Sequence, residues 1–289
     1  MLIMIFKLLG IFPLRFLHQL GWILGHLMFL SSSTYARRLS NNYTQSGVIV
    51  DSKQSKIHIR NNVVESGKAL AELPRIWFSP DNDPSKLMKK VHGWNLVEKG
   101  LARGRGLILL TPHIGCFEII PHYLSTQFPF TVLYRPPKLR FLEPLMKRGR
   151  QGKRIRLATT DISGVRTLLK ALKKGEAIGV LPDQVPGKGD GEWADFFQRP
   201  AYTMTMWSRL AEKSDATVLL MATKRLAKGA GFELFFYEMP DRLSTETQSR
   251  CLNRGLEFLI RKNPNQFLWS YNRYKIPVGL SKQKSMSAK

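Results

Sequence analysis

Five short apolar runs constrain this chain most, because each is too short to be an independent helix and all are separated by polar or amphipathic segments. LILLT (107–111), FTVLYRP (130–136) and EAIGVLP (176–182) read as buried strands, the second stopped by Pro136. ATVLLMATKR (216–225) and GFELFFYEM (231–239) read as two more. Between them, VRTLLKALKKG (165–175) is an amphipathic helix closed by Gly175, and TMTMWSRLAEK (203–213) is helical. Upstream, Val63, Val64, Gly67, Leu70 and Leu73 fall at helical spacing and predict a helix over 57–73, while DNDPSK (81–86) marks a turn and a helix start. Downstream, Thr245 with Gln248 predicts a capping box before a helix ending near Pro264. No internal repeat is visible. This alternation implies an α/β fold with a mixed central sheet flanked by helices.

In such a sheet ligands collect beyond the carboxyl ends of the strands, so the residues after Thr111, Tyr134 and Leu181 carry the functional expectation. PHIGCFE (112–118) follows the first strand and holds His113 and Glu118. In one continuous helix that offset would put them about 140° apart, so they meet only if His113 precedes the helix and Glu118 opens it. A His with a carboxylate partner suits general-base work, because the carboxylate selects the tautomer and stabilises the imidazolium. An isolated H-x4-E is weak, and its bland reading is a loop His beside an unrelated helix Glu. Arg135, at the second strand end, has the fork geometry to grip a phosphate; the bland reading is a surface ion pair. Asp183 and Gln184 end the third strand and lead into a Gly-rich loop with Lys188, which could equally be a bare turn. Cys116 raises a thiol-nucleophile alternative, read here as a small apolar filler. No G-x-S-x-G elbow is present, and the Gly104/Gly106 pair precedes a strand rather than a helix, which rejects a dinucleotide fingerprint.

Residues 1–30 are far more apolar than the rest, with only Lys7 and Arg15 charged. They lack a small-x-small cleavage site, so a secretory signal is disfavoured and a membrane-anchor helix is expected. Phe16 to Leu30 is short for a span and contains His18, Gln19 and His26, and Pro13 should break any helix through it. An interfacial helix is as good a reading as a crossing one. Arg37 and Arg38 would hold the remaining chain on the cytoplasmic side. The expected organisation is an anchor (1–30), a catalytic domain (31–280) opening with a polar linker over 31–51, and a disordered tail (281–289). Lys plus Arg number 45 against 21 acidic residues, a formal net charge of +24, which calls for an anionic partner. Two cysteines and no CxxC leave no zinc or disulfide framework and fit a reducing compartment.

The ordered set of H-x4-E, YRP, LPDQ, FF-x-x-PA-x-T and P-x-Q-x-L-W-x-x-x-R-x-K resembles the lipid A biosynthesis late lauroyl/myristoyl acyltransferases, within the lysophospholipid acyltransferase superfamily. The likeness runs through ARRLSNNYTQSG (36–47), HGWNLVEKGLARGRGLILLTPHIGCFEII (92–120), VLYRPPK (132–138), RGRQGK (148–153), GVLPDQVP (179–186), DFFQRPAYTMT (195–205) and NPNQFLWSYNRYK (263–275). It departs at Gln198, where the family usually has Gly. The resemblance implies a glycerolipid-acyltransferase-like fold and catalysis by His113 and Glu118 without an acyl-enzyme. It implies no cofactor or metal, an acyl-carrier-protein thioester as donor, and a hydroxyl of a Kdo-bearing lipid A precursor as acceptor. Arg135, Asp183 and Gln184 would bind substrate, with Arg150, Lys153 and Arg273 as anionic-lipid contacts. The expected partners are the acidic carrier protein, the anionic lipid and the inner-membrane surface, with no nucleic acid. The rivals are a superfamily acyltransferase acting on a glycerophospholipid or mannosylated lipid, and a basic membrane- or nucleic-acid-binding protein. The latter predicts exposed aromatics among the basic residues, whereas these aromatics lie mostly in apolar runs.

Overall fold

All five apolar runs become strands of the central sheet, whose two further strands escape the sequence because they form its edges. In a computed structural model, residues 1–49, 51–81 and 83–281 are described; the expected tail lies, from 282 onward, outside the described residues. The amino-terminal helices are α1 (Leu2–Gly10), α2 (Leu14–Ser31), α3 (Ser33–Gln45), α4 (Ser52–Ala71) and α5 (Leu73–Trp77). Then follow β1 (Met88–His92), α6 (Trp94–Ala102), β2 (Leu107–Leu110), α7 (Ile119–Gln127), β3 (Phe130–Tyr134), α8 (Glu143–Gly149), β4 (Ile155–Thr159), α9 (Ile162–Lys173) and β5 (Ala177–Val180). The chain closes with the β6 (Gly191–Phe196)–β7 (Arg199–Met204) hairpin, α10 (Met206–Ser214), β8 (Thr217–Arg225), β9 (Phe232–Glu238) and α11 (Gln248–Lys262).

The central sheet has the order β1-β9-β8-β2-β5-β3-β4. Every pairing is parallel except β8 with β9, so the sheet is mixed, as the alternation implied. Strands β2 and β5 are buried along their whole length, which explains their unbroken apolar sequence. Edge strands β1 (MKKVH) and β4 (IRLAT) carry cations on exposed positions, a composition that discourages further pairing and hides the strand signal.

Two local expectations are corrected. Most of the expected linker is helix α3: Ser32 caps it by accepting from Tyr35 N, and Leu39 and Tyr43 are fully buried. The cap of α11 is Thr247, whose hydroxyl accepts from Arg250 N, rather than Thr245. The DFFQRPA stretch makes the β6–β7 hairpin, turning through Phe197 and Gln198 at φ 47° and 60°. Two consecutive left-handed residues make the tight turn that matches strand twist, and they explain why glycine suits position 198.

Pro13 separates α1 from α2 as expected. Among the described residues no helix is long and apolar enough to cross a membrane. Instead α2 has two faces. Leu14, Leu17, His18, Gly21 and Gly25 are buried, whereas Phe16, Trp22, Ile23, Leu27 and Leu30 are exposed. The buried face meets α4 backbone to backbone: a Cβ on Gly67 would lie 2.0 Å from Gly21 O, and one on Gly25 would lie 2.3 Å from Val63 O. Helix α1 is exposed at Met4, Ile5 and Leu8, while Phe6 stacks on Trp77 of α5 at 6.0 Å between centroids.

Candidate active site

Strand register decides which side chains meet. Leu110 of β2 pairs with Val180 of β5 on one side and Leu220 of β8 on the other. Three residues beyond each partner stand His113 and Asp183, just past the carboxyl ends of β2 and β5, and Thr223, two residues short of the end of adjacent β8. His113 Nδ1 donates to Asp183 Oδ1 at 2.7 Å, and its backbone N–H donates to the other carboxylate oxygen at 2.9 Å. The Gln184 amide lies 3.2 Å from His113 Nε2. With Nδ1 carrying the proton toward Asp183, Nε2 keeps its lone pair and accepts from that amide. Phe117 packs edge-on against the imidazole at 4.7 Å.

The loop that carries His113 is held at each peptide. His113 O accepts from Leu268 N (3.0 Å), Ile114 O from Thr223 Oγ1 (3.1 Å) and Gly115 O from Arg225 Nη2 (3.1 Å), and Gly115 N donates to Gln266 O (3.1 Å). The 265–271 segment is itself fastened to the amino-terminal helices. Asn42 donates to Trp269 O and Tyr271 O, Asn62 to Asn265 O and Phe267 O, and Tyr43 stacks on Trp269. Tyr271 in turn accepts from Val185 N, steadying the loop that presents Asp183. Motifs far apart in sequence thus converge on one turn.

Asp183 is almost fully buried. Burial alone would raise its pKa, but attraction to the His113 imidazole, two hydrogen bonds from His113 and the charge of Arg273 reverse this and hold the carboxyl below its usual range. The expected pairing of Glu118 with His113 is corrected accordingly: Asp183 occupies the imidazole, and among the described residues no hydrogen bond joins Glu118 to it. Glu118 does open α7, as its N-cap residue, but its carboxylate accepts from Trp77 Nε1 at 3.0 Å and from Arg150, whose Nε lies 2.9 Å from Oε2 and whose Nη2 contacts Oε1. Burial would raise the Glu118 pKa, and the adjacent Arg150 guanidinium reverses that and lowers it.

The expected anionic-lipid contacts separate into three cases. Arg150 is engaged by Glu118 and lies over the Trp77 and Tyr134 rings, so it is a wall of the site rather than a free cation. Arg273 is buried, donating to Tyr202 O, Thr203 Oγ1 and Asn253 Oδ1; its charge supports Asp183 from inside and does not face a lipid. Lys153 is exposed, as is Arg135 immediately after β3. Since β3 is the neighbour of β5, Arg135 stands at the same sheet end as Asp183. Cys116 is buried and burial pushes its thiol well above the usual range, which removes it as a nucleophile. Among the described residues no cluster could hold a metal ion. Trp77, Thr223, Arg225 and Tyr271 were not singled out by the sequence, because nothing local marks a residue whose partner lies on another strand.

A His–Asp pair whose Nε2 lone pair faces only an exchangeable amide donor can remove a proton from a hydroxyl. Comparison with known proteins agrees with acyl transfer. Residues 1–276 match the family described as bacterial lipid A biosynthesis acyltransferase. The chain is similar to the lipid A biosynthesis palmitoleoyltransferase of Escherichia coli K12, with 30% identity over 77% of this chain and 73% of that protein. It is also similar to the lauroyltransferase of the same organism, with 25% identity over 91% of this chain and 86% of that protein. A lipid A biosynthesis acyltransferase of Haemophilus influenzae is 24% identical over 89% of this chain and 82% of its own length. A His-bearing turn at the carboxyl end of a mixed sheet, in a sequence matched almost from end to end, makes this chain an acyltransferase of the bacterial lipid A biosynthesis acyltransferase family.

Proposed function

We propose that this enzyme transfers an acyl chain from an acyl-carrier-protein thioester to a hydroxyl of a Kdo-bearing lipid A precursor, with His113 as general base and Asp183 as its orienting partner. The observation that carries the reading is the His113 ring held between Asp183 and Gln184, with Nε2 as the accepting nitrogen. The acceptor hydroxyl replaces the Gln184 amide at Nε2 and gives up its proton as its oxygen bonds to the thioester carbonyl carbon. The tetrahedral intermediate then expels the thiolate as the C–S bond breaks, and His113 returns the proton to sulfur. No acyl-enzyme forms, in keeping with the burial of Cys116. Gln184, once displaced, is positioned to donate to a substrate oxygen. Glu118 and Arg150 form the adjoining wall, and exposed Arg135 and Lys153 are assigned to phosphates of the substrates.

The same reading places the enzyme at the cytoplasmic face of the inner membrane. The outer sides of α1 and α2 expose Met4, Leu8, Ile11, Phe16, Trp22 and Leu27, an apolar surface suited to lying in the interface rather than crossing it. Helix α1 is two contacts from the site, since Phe6 stacks on Trp77 and Trp77 donates to Glu118. The +24 charge favours both an acidic carrier and an anionic lipid surface.

The test is mass spectrometry of products from purified enzyme, an acyl-carrier-protein thioester and the Kdo-bearing precursor. One acyl increment is expected, lost by about 100- to 10,000-fold in His113→Ala and strongly reduced in Asp183→Asn. Transfer to a lysophospholipid in place of the precursor would overturn the acceptor assignment. Full activity in His113→Ala would overturn the mechanism.

A further inference from the structure

Beneath the His113 loop lies a charged cluster that the proposed chemistry does not use. Glu72, at the junction of α4 and α5, is 1% exposed and Arg225, near the end of β8, 4% exposed. Arg225 Nε donates to Glu72 Oε2 at 2.8 Å, Nη2 to Glu72 Oε1 at 2.5 Å and Nη1 to Glu65 Oε2 at 2.8 Å. His18 of α2 reaches the same Glu72 carboxylate at 3.3 Å. Nη2 has a second acceptor, Gly115 O, two residues from His113. The backbone of Arg225 is tied to the same place: its N–H donates to Gln266 Oε1 and its carbonyl accepts from Gln266 Nε2, while Gln266 O accepts from Gly115 N. Both backbone polar groups of Gly115 are therefore held from one cluster.

A buried ion pair is a poor source of net stability, because the attraction barely offsets the desolvation of two charges. What Arg225 provides that an apolar side chain cannot is a donor for Gly115 O. That carbonyl is forced inward: Gly115 has φ 60°, and a Cβ there would lie 2.2 Å from Thr223 O, so the loop runs directly against β8. One planar guanidinium bonds two carboxylates and this carbonyl together, a geometry that an ammonium does not reproduce.

Resting on the general-base reading above, we propose that the Glu72–Arg225 pair is a positioning device for His113, fixing the Gly115 peptide so that the imidazole stays in register with Asp183 and the acceptor hydroxyl. Through His18, the membrane-facing helix α2 is part of that scaffold. Arg225 and Glu72 touch no substrate; they act through the loop.

The full-length enzyme is compared with Arg225→Lys, Glu65→Gln, His113→Ala and the double variant Glu72→Gln with Arg225→Met, in which the introduced amide keeps an acceptor for His18 and neither member of the pair is left as an unpaired buried charge. Arg225→Lys and the double variant are expected to lower kcat about 10- to 100-fold, with KM for both substrates within about 2-fold, as loss of alignment alone dictates. Glu65→Gln, whose amide oxygen still accepts from Arg225 Nη1, should lower kcat less than Arg225→Lys does. The proposal is overturned if the double variant, folded by circular dichroism, retains wild-type kcat. His113→Ala separates the two ideas: its activity, if retained, sinks the general-base reading, whereas its loss alongside an active double variant sinks only the positioning role.

Discussion

His113 owes its chemical character to the atoms on either side of its ring, and each can be tested singly. Asp183 has a folded-state pKa below its unfolded value, so it contributes stability that is present above the ordinary carboxylate range and lost as pH falls through the depressed value. Asp183→Asn should therefore flatten the loss of Tm below about pH 4 while leaving the neutral-pH fold in place. An unchanged acid transition in that variant would mean that the His113–Asp183 contact contributes nothing to it. Gln198 offers a test of local backbone: it sits at φ 60° in a turn whose preceding residue is also left-handed. A left-handed non-glycine residue costs about 1–2 kcal/mol, partly offset by the larger unfolded-state entropy of glycine. Gln198→Gly is thus expected to raise unfolding free energy by up to about 1 kcal/mol, read from urea melts. A lower stability would show that the Gln198 side chain supplies something the backbone argument omits.

At the level of elements, the α2–α4 crossing governs whether the amino-terminal helices belong to the catalytic body. Gly21, Gly25 and Gly67 let the two backbones touch, and no Cβ fits at Gly67 without separating them. Gly67→Val should destabilise the protein by about 1–3 kcal/mol or more, seen as a fall in Tm, because overpacking a close crossing moves helices rather than side chains. Wild-type stability would mean that the crossing is looser than the backbone distances imply. The composition break at residue 30, taken alone, suggests a detachable leader. The buried side of α2, with Leu17 at 0% exposure and His18 bonded to Glu72, argues that cutting there removes part of the core.

For the whole molecule, the proposed membrane attachment and folding can be separated by where the chain is cut. Removing residues 1–12 takes away α1 with its exposed Met4 and Leu8, and the exposed Ile11 that follows it, but spares α2. That variant should remain folded by circular dichroism and bind vesicles of mixed zwitterionic and anionic lipid more weakly. Removing residues 1–30 should unfold or aggregate the protein. If the longer truncation folds with a wild-type Tm, α2 is an appendage after all. If the shorter one binds vesicles undiminished, the basic surface alone attaches the enzyme, and binding should then fall steeply with salt.

Much of this was legible before any coordinate. LILLT, FTVLYRP and EAIGVLP declare buried strands because a strand covered on both faces is built mostly of apolar residues. Their polar endings locate His113, Arg135 and Asp183 at one end of the sheet, since parallel strands share a direction. Edge strands β1 and β4 stayed hidden because solvent on one side relaxes that compositional demand. Sequence spacing also misassigned the carboxylate. Glu118 is five residues from His113 and Asp183 seventy, yet local offset matters less than strand order. A sequence specifies where each strand begins and ends; the side-by-side placement of β2 and β5, with β3, β4 and three helices between them in the chain, results from packing of the whole core. That placement, with Leu110 opposite Val180, is what sets His113 against Asp183 and leaves Glu118 to Arg150.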